Sequence, residues 1–158
     1  MKKRIYLLFV FISILISFSF AQKPRSAGSA IQVDSIIKID MFLNAFGVES
    51  FGFPSIKATI NFKTQRSICN VTYYEPQLKS KNYSLSQNEL QTISSIFSNF
   101  DFKQSKKEYA ANTSDQPTST TTIYTAQGKF QIKDYGLIAL PPFDKLYEIV
   151  YKLKQNFR

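Results

Sequence analysis

Strict two-residue alternation in the segment IKATINFK (56–63) is the pattern that most limits the possible folds. Every second position carries an apolar residue, and these are Ile56, Ala58, Ile60 and Phe62. Successive side chains of a β-strand point to opposite faces, so the pattern predicts a strand with one buried and one exposed face. The polar TQR (64–66) then predicts a turn, and SICNVTYYE (67–75) predicts the returning strand of an antiparallel meander.

Three more segments are rich in β-branched and aromatic residues, which favour strands. SIIKIDMFLNAF (35–46) predicts a first strand that precedes the alternating segment. TTTIYTA (120–126) and KFQIKDY (129–135) flank a Gln-Gly pair that ends at Gly128. We therefore expect these last two segments to form a β-hairpin with a tight turn at the glycine.

Two segments have the three- and four-residue spacing of apolar residues that is typical of amphipathic helices. SLSQNELQTISSIFSNF (84–100) also places Ser86 and Glu89 at the spacing of a capping box. PPFDKLYEIVYKLKQNFR (141–158) has Pro142 near its start, which favours a helix beginning there. The apolar stripes predict contact with a core, through Leu90, Ile93, Ile96, Phe97 and Phe100 in the first helix and Phe143, Leu146, Ile149, Val150 and Leu153 in the second.

The order of these elements is strands, a helix, two strands and a final helix, which predicts an α+β domain. Two amphipathic helices and one alternating sheet bury their apolar faces most simply as a two-layer sandwich. We therefore expect a mainly antiparallel sheet with two helices packed on one face. The domain is expected to span residues 34–158, after a flexible tail at 22–33.

The N-terminal segment has the composition of a secretory signal peptide. Basic residues at 2–4 precede an apolar run at 5–18, and the small residues Ser19 and Ala21 occupy the positions that a signal peptidase recognises. We expect residues 1–21 to be cleaved, which gives a periplasmic or secreted protein with no stable membrane anchor. The alternative is an uncleaved transmembrane anchor, although the run is shorter than the ~20 residues of a typical span.

The net charge limits the class of partner. The chain has 20 basic and 11 acidic residues, and loss of the signal removes three basic ones, which leaves a net charge of +6 (17 minus 11). A lysine cluster in the polar segment 101–120 contributes to this charge. For an exported protein we expect no nucleic acid, and a positive surface then favours an acidic protein or an anionic envelope glycan. The alternative is that the charge only keeps the protein soluble.

Several chemistries are excluded by residues that the chain lacks. It contains no histidine, which removes the commonest general base, Ser-His and Cys-His pairs, and ordinary zinc sites. Its one cysteine, Cys69, has no partner for an internal disulfide. Cys69 lies in a strand-like run and is expected to be buried, and the alternatives are a reactive thiol or a disulfide to another chain. We expect no cofactor and no metal.

Carboxylates remain as acid or base groups, and the sequence indicates no pair of them. The acidic residues considered are scattered along the chain: Asp34, Asp40, Asp115, Asp134 and Glu148. Asp115 is more simply a turn residue whose side chain accepts hydrogen bonds from nearby backbone N–H groups. We therefore expect no catalytic residue and a non-enzymatic envelope protein of unknown function that acts as a binding or interaction domain. The alternatives are a carboxylate-dependent hydrolase or polysaccharide-active enzyme, and an inhibitor or immunity-type protein.

The alternation also predicts which side chains form the open face of the sheet. No acidic residue occurs at the outward positions predicted for 56–63, 67–75 and the final hairpin. The candidate binding residues on this face are Lys57, Lys63, Tyr74, Tyr124, Lys129, Lys133 and Tyr135. Tyrosine offers rigid contact area and lysine attracts anions, so this face suits an acidic protein or an anionic glycan. An ordinary solvated sheet face is the alternative.

Several short motifs occur in a definite order along the chain. A Gly-Phe-Pro turn at 52–54 follows the first strand, DQPT (115–118) leads into the threonine-rich strand, and GKFQIKDYG (128–136) precedes the last helix. With these motifs, residues 34–155 resemble a small exported bacterial domain of unknown function, whose members often follow a signal peptide or a lipoprotein signal. The resemblance implies a fold and an exported location, and it implies no activity.

One motif of that family is incomplete in this chain. Its members often carry Cys-Phe-Gly-x-Cys-Pro after the first strand. The segment AFGVESFGFP (45–54) keeps Phe46, Gly47 and Pro54 but has neither cysteine. No disulfide, metal or redox role of that cysteine pair is therefore carried over.

Overall fold

The computed structural model describes residues 36–103 and 105–157. The predicted signal peptide at 1–21 and tail at 22–33 lie outside the described residues. The elements are β1 (Ile36–Asn44), β2 (Pro54–Asn61), β3 (Arg66–Tyr73), β4 (Lys81–Tyr83), α1 (Gln87–Ile96), β5 (Glu108–Ala110), β6 (Thr118–Thr125), β7 (Gly128–Tyr135), α2 (Phe143–Tyr151) and α3 (Leu153–Asn156). Within these residues, no helix has the length and apolar character needed to cross a membrane.

The strands form one sheet in the order β4-β3-β2-β1-β6-β7-β5. Neighbouring strands are antiparallel, except that β5 runs parallel to β7. Strand β1 is the central strand, because Ile39 pairs with Ile60 of β2 on one side and with Ile123 of β6 on the other. The predicted α+β class and the mainly antiparallel sheet are therefore confirmed.

The alternation of β2 separates the core from solvent as predicted. Ile56, Ala58 and Ile60 are buried, whereas Lys57 and Thr59 are exposed. The same inward face continues across the sheet and packs against α1 and α2 in a single core, through Ile39, Cys69, Val71, Ile123, Ile132, Leu90, Ile93, Leu146 and Val150. Both helices thus cover one face of the sheet, as the two-layer prediction requires.

Helix α1 begins at the predicted cap and ends earlier than predicted. The Ser86 hydroxyl accepts a hydrogen bond from the Glu89 backbone N–H at 3.3 Å, and the Glu89 carboxylate accepts one from the Ser86 N–H at 2.7 Å. These two bonds satisfy backbone donors that have no partner within the helix. The helix ends at Ile96, and Phe97 and Phe100 pack instead in an aromatic cluster beyond its last turn.

The C-terminal helix was predicted as one element, and the structure divides it into α2 and α3. Lys152 separates them because its backbone is left-handed (φ 47°). Its ammonium group forms an ion pair with Glu89 at 2.7 Å and lies 5.4 Å from the centre of the Tyr83 ring. The predicted stripe also missed Tyr147 and Tyr151, which are buried against the sheet.

Two short strands were missed by the sequence analysis. β4 and β5 have three residues each, which is too short for a period of two to be recognised. Strand β5 enters the sheet beside β7 and pairs only with residues 133–135. Among the described residues, no strand pairs with residues 128–132 on that side of β7, and the candidate site lies there.

Candidate functional site

The structure places most of the predicted binding residues on the open face of the sheet. Lys57, Lys129 and Lys133 are exposed there, and Tyr124 and Tyr135 are half-buried on the same face. Lys63 is exposed but lies in the β2–β3 turn, because β2 ends at Asn61. The prediction that Lys63 belongs to the sheet face is therefore wrong.

The three candidate tyrosines differ in how available they are. The Tyr135 hydroxyl accepts a hydrogen bond from the Gln116 backbone N–H at 3.2 Å. The Tyr124 ring lies under the Lys38 ammonium group, 5.1 Å from the ring centre. Tyr74 follows the end of β3, is 82% exposed and stacks on the ring of Phe51 at 5.8 Å. The three tyrosines therefore form no common surface.

The predicted lysines are not brought together into one patch. Strand register places Lys57, Phe42, Thr120 and Lys133 in one row across β2, β1, β6 and β7. Three strand spacings of about 4.8 Å then separate Lys57 from Lys133 by roughly 14 Å. Lys57 also covers the Phe42 ring at 5.5 Å, so it has a local partner.

An acidic residue lies near the middle of the open face, on a strand that the predicted surface did not include. Asp40 of β1 accepts hydrogen bonds from Lys38 Nζ at 2.6 Å and from Thr59 Oγ1 at 2.9 Å. The hydrogen bond to Asp40 raises the pKa of the Lys38 ammonium group above its ordinary value, which favours the charged form of this lysine. The shallow depression around Lys57 also contains Asp40. This part of the face is therefore not a purely basic surface.

A groove lined by four lysines lies beside the open part of β7. Its volume is about 660 Å³, and it is lined by Phe102, Lys103, Lys107, Thr125, Gln127, Gly128, Lys129, Phe130, Gln131 and Lys133. Four of these residues are lysines, and none of the described lining residues is acidic. We call this feature the lysine groove. Glu108 lies beside Lys133 in the strand register but does not line the groove.

Two segments that are distant in sequence build the lysine groove. The β6–β7 hairpin forms one wall, and Gly128 at its turn has the positive φ (143°) that favours glycine. The chain that leads into β5 forms the other, and the Lys107 carbonyl accepts a hydrogen bond from the Lys133 N–H at 2.9 Å. The Phe102 ring packs on the Phe130 ring with centres 5.5 Å apart, which makes part of the lining apolar.

Two of the four lysines, Lys129 and Lys133, were predicted site residues, whereas Lys103, Lys107 and Phe102 were not. The lysine cluster in the polar segment 101–120 was the available signal. The lysine cluster alone did not locate a site, because this segment is brought beside β7 by strand β5, which was not predicted.

Comparison with known proteins identifies a family but no function. Residues 51–154 match the model of a family described as domain of unknown function (DUF6438). The chain belongs to the DUF6438 family. Comparison with curated proteins and with solved structures gave no significant match. The matched range contains the whole lysine groove, whereas the central strand β1 precedes it.

The carboxylates of the DUF6438 domain that were weighed as acids or bases each have a local role. The Asp134 side chain is fully buried and accepts hydrogen bonds from the Ile138 and Ala139 backbone N–H groups at 3.0 and 2.9 Å. Glu148 forms an exposed ion pair with Lys145 at 3.0 Å. Among the described residues, no cluster of three or more Cys, Asp or Glu side chains could hold a metal ion.

Asp115 lies in a turn, as predicted, but its hydrogen bond differs from the predicted one. Its backbone has a positive φ of 58°, a conformation that aspartate tolerates better than most residues. The carboxylate accepts a hydrogen bond from the Ser114 hydroxyl at 2.8 Å, whereas a backbone donor was predicted. Asp34 lies outside the described residues.

Cys69 is a core residue of the DUF6438 domain, as predicted. Its side chain is fully buried in the core, and its strand β3 lies between β2 and β4 in the sheet. Burial raises the pKa of the Cys69 thiol to about 11, so the thiol stays protonated at neutral pH. A protonated and inaccessible thiol is a poor nucleophile, and this arrangement does not favour cysteine chemistry.

Proposed function

We propose that this DUF6438 domain is an exported, non-enzymatic binding domain that holds an anionic polymer in the lysine groove. One observation carries the proposal. Lys103 and Lys107 from one segment, and Lys129 and Lys133 from another, line a single groove whose described lining contains no carboxylate.

Electrostatics explains why such a groove favours an anion. Like charges around one concavity repel each other, and an anion between them relieves that repulsion. Elsewhere on the same face, positive charge is offset locally, as by Asp40 beside Lys38. The lysine groove has no such counter-ion among its described lining residues. An external anion bound in the lysine groove would therefore interact with positive charge that no lining carboxylate offsets.

The other reactive side chains among the described residues favour binding over catalysis. The buried carboxylate of Asp134 is occupied by two backbone donors, and the Cys69 thiol is inaccessible. The groove itself offers ammonium, amide and hydroxyl groups but no described general base. Export, which rests on the composition of residues 1–21, stays a prediction.

The position of the site can be tested by NMR, by titrating the ¹⁵N-labelled domain with polyglutamate and following the chemical shifts of the backbone amides. We expect the largest shifts at Lys103, Lys107 and residues 128–133, because ammonium groups from both walls would contact the carboxylates. The effect should weaken as salt is raised, since exposed charges are screened over about 8–10 Å at physiological ionic strength. Shifts centred on Lys57 and Thr59, or no saturable shifts, would contradict the proposal.

A further inference from the structure

The outer edge of β7 is only partly paired within the described residues. Strand β5 pairs with residues 133–135 of β7 and with no earlier residue. On the other side, β6 pairs with the whole of β7, from Gly128 to Tyr135. Residues 128–132 therefore have one paired edge and one open edge, and the open edge faces the lysine groove.

The hydrogen bonds to β5 show which backbone groups point to this edge. The Lys133 N–H donates to the Lys107 carbonyl at 2.9 Å, and the Tyr135 carbonyl accepts from the Ala111 N–H at 2.9 Å. Every second residue of a strand presents its N–H and C=O to the same side. Lys129 and Gln131 therefore point two donors and two acceptors towards the groove.

We propose that the anionic partner is an extended acidic polypeptide that adds a strand to the open edge of β7, an inference that rests on the proposed function. Strand addition uses main-chain hydrogen bonds for affinity and alternate side chains for specificity. Here the first requirement is supplied by the outer N–H and C=O groups of Lys129 and Gln131, which have no backbone partner among the described residues. The open edge has five residues, which corresponds to about 17 Å of strand at ~3.4 Å per residue.

The two sides of the open edge predict the sequence of the peptide. Side chains of the added strand would alternate between the two faces of the sheet. On the open face they would lie beside Lys129 and Gln131, with Lys133 just beyond the open edge, which favours Asp or Glu. On the other face they would lie beside Phe130 and Phe102, which favours an apolar residue. The expected ligand is therefore a peptide of about five residues in which acidic and apolar residues alternate.

The same lysines disfavour pairing between two copies of this chain. Antiparallel pairing of two β7 edges would place lysines of one copy beside lysines of the other, and like charges on neighbouring strands are destabilising. Lysine on an edge strand is a common protection against such pairing. The edge would thus reject a second copy and accept an acidic strand. An anionic glycan would use the charge alone, because it has no repeating backbone N–H and C=O groups.

Two matched comparisons test the strand addition. The first measures binding of a peptide of alternating Glu and Val to the full domain, beside the same peptide N-methylated on every second residue. Two such peptides are needed, one methylated on the Glu residues and one on the Val residues, because only one set of N–H groups would face β7. Methylation keeps the charge and removes the N–H donors, so we expect at least one of the two methylated peptides to bind about tenfold more weakly. The second compares Gln131→Pro with Gln131→Val. Both substitutions remove the amide side chain, but only proline removes the backbone N–H. Because the Gln131 N–H points to the open edge, its loss leaves the hydrogen bonds between β7 and β6 intact.

The outcomes separate this inference from the proposed function. We expect Gln131→Pro, but not Gln131→Val, to weaken binding of the alternating peptide about tenfold. Binding of polyglutamate should still depend on the lysines of the lysine groove. Equal binding of the methylated and unmethylated peptides, together with weaker binding when Lys129 and Lys133 are replaced by Glu, would overturn strand addition but still support the anion site. If replacing these lysines does not weaken binding, both strand addition and the proposed function would be overturned. If Gln131→Pro fails to fold, the comparison of methylated and unmethylated peptides on the unaltered domain still tests strand addition.

Discussion

Replacing Phe143 with alanine is expected to lower the free energy of unfolding by about 3–5 kcal/mol. Phe143 is 1% exposed and begins α2. Its ring centre lies 5.6 Å from that of Phe97, 5.4 Å from that of Phe100 and 6.4 Å from that of Phe130. The truncation would leave a cavity where the segment after α1, the start of α2 and β7 meet, and the other rings cannot fill it without moving.

Urea unfolding followed by circular dichroism measures this loss, and Phe46→Ala is the matched control. Phe46 is 90% exposed, so the same truncation should change the free energy of unfolding by no more than about 0.5 kcal/mol. Equal stability of the two variants would show that the aromatic cluster does not hold α2 on the sheet.

The second large effect is expected from Asp134→Ala, which should cost about 3 kcal/mol of unfolding free energy. The carboxylate is fully buried and accepts the Ile138 and Ala139 N–H groups. Alanine would leave both donors without that acceptor, in a segment that connects β7 to α2. Burial, followed by the nearby charge of Asp134, raises the pKa of the Tyr147 hydroxyl well above its ordinary value, so this tyrosine stays neutral.

Thermal and urea unfolding of Asp134→Ala should be compared with that of Glu148→Ala, which removes an exposed carboxylate that is paired with Lys145. An exposed ion pair contributes little, so the control should unfold close to the unaltered protein. If the two alanine variants are equally stable, Asp134 is not an essential acceptor for the β7–α2 connection.

Side-chain periodicity made much of this fold predictable. In β2, Ile56 and Ile60 alternate with Lys57 and Thr59, and burial follows that order residue by residue. The capping box at Ser86 was equally readable, because its hydrogen bonds join residues three apart in sequence. These features are local, so the sequence specifies them without knowledge of the rest of the fold.

The candidate site was less predictable because it depends on contacts between distant segments. β5 has three residues and no readable alternation, so its parallel pairing with β7 could not be expected. Without it, Lys107 could not be placed beside Lys133. Asp40 was read as one of several scattered carboxylates, and only the position of β1 at the centre of the sheet places it on the open face.

We expect anion binding to depend on the position of the lysines and not on the net charge of the domain. Two double variants make the same change in charge at different places. Lys129→Glu with Lys133→Glu alters the lysine groove, whereas Lys57→Glu with Lys63→Glu alters a strand and a turn on the far side of β1. All four side chains are exposed, so both variants should fold.

The deciding measurement is the dissociation constant of polyglutamate for these two variants and the unaltered domain at one fixed salt concentration. We expect the groove variant to bind at least about tenfold more weakly than the unaltered domain, and the control variant to stay within about threefold of it. Equal weakening of the two variants would mean that only net charge attracts the anion, and it would contradict a specific site in the lysine groove.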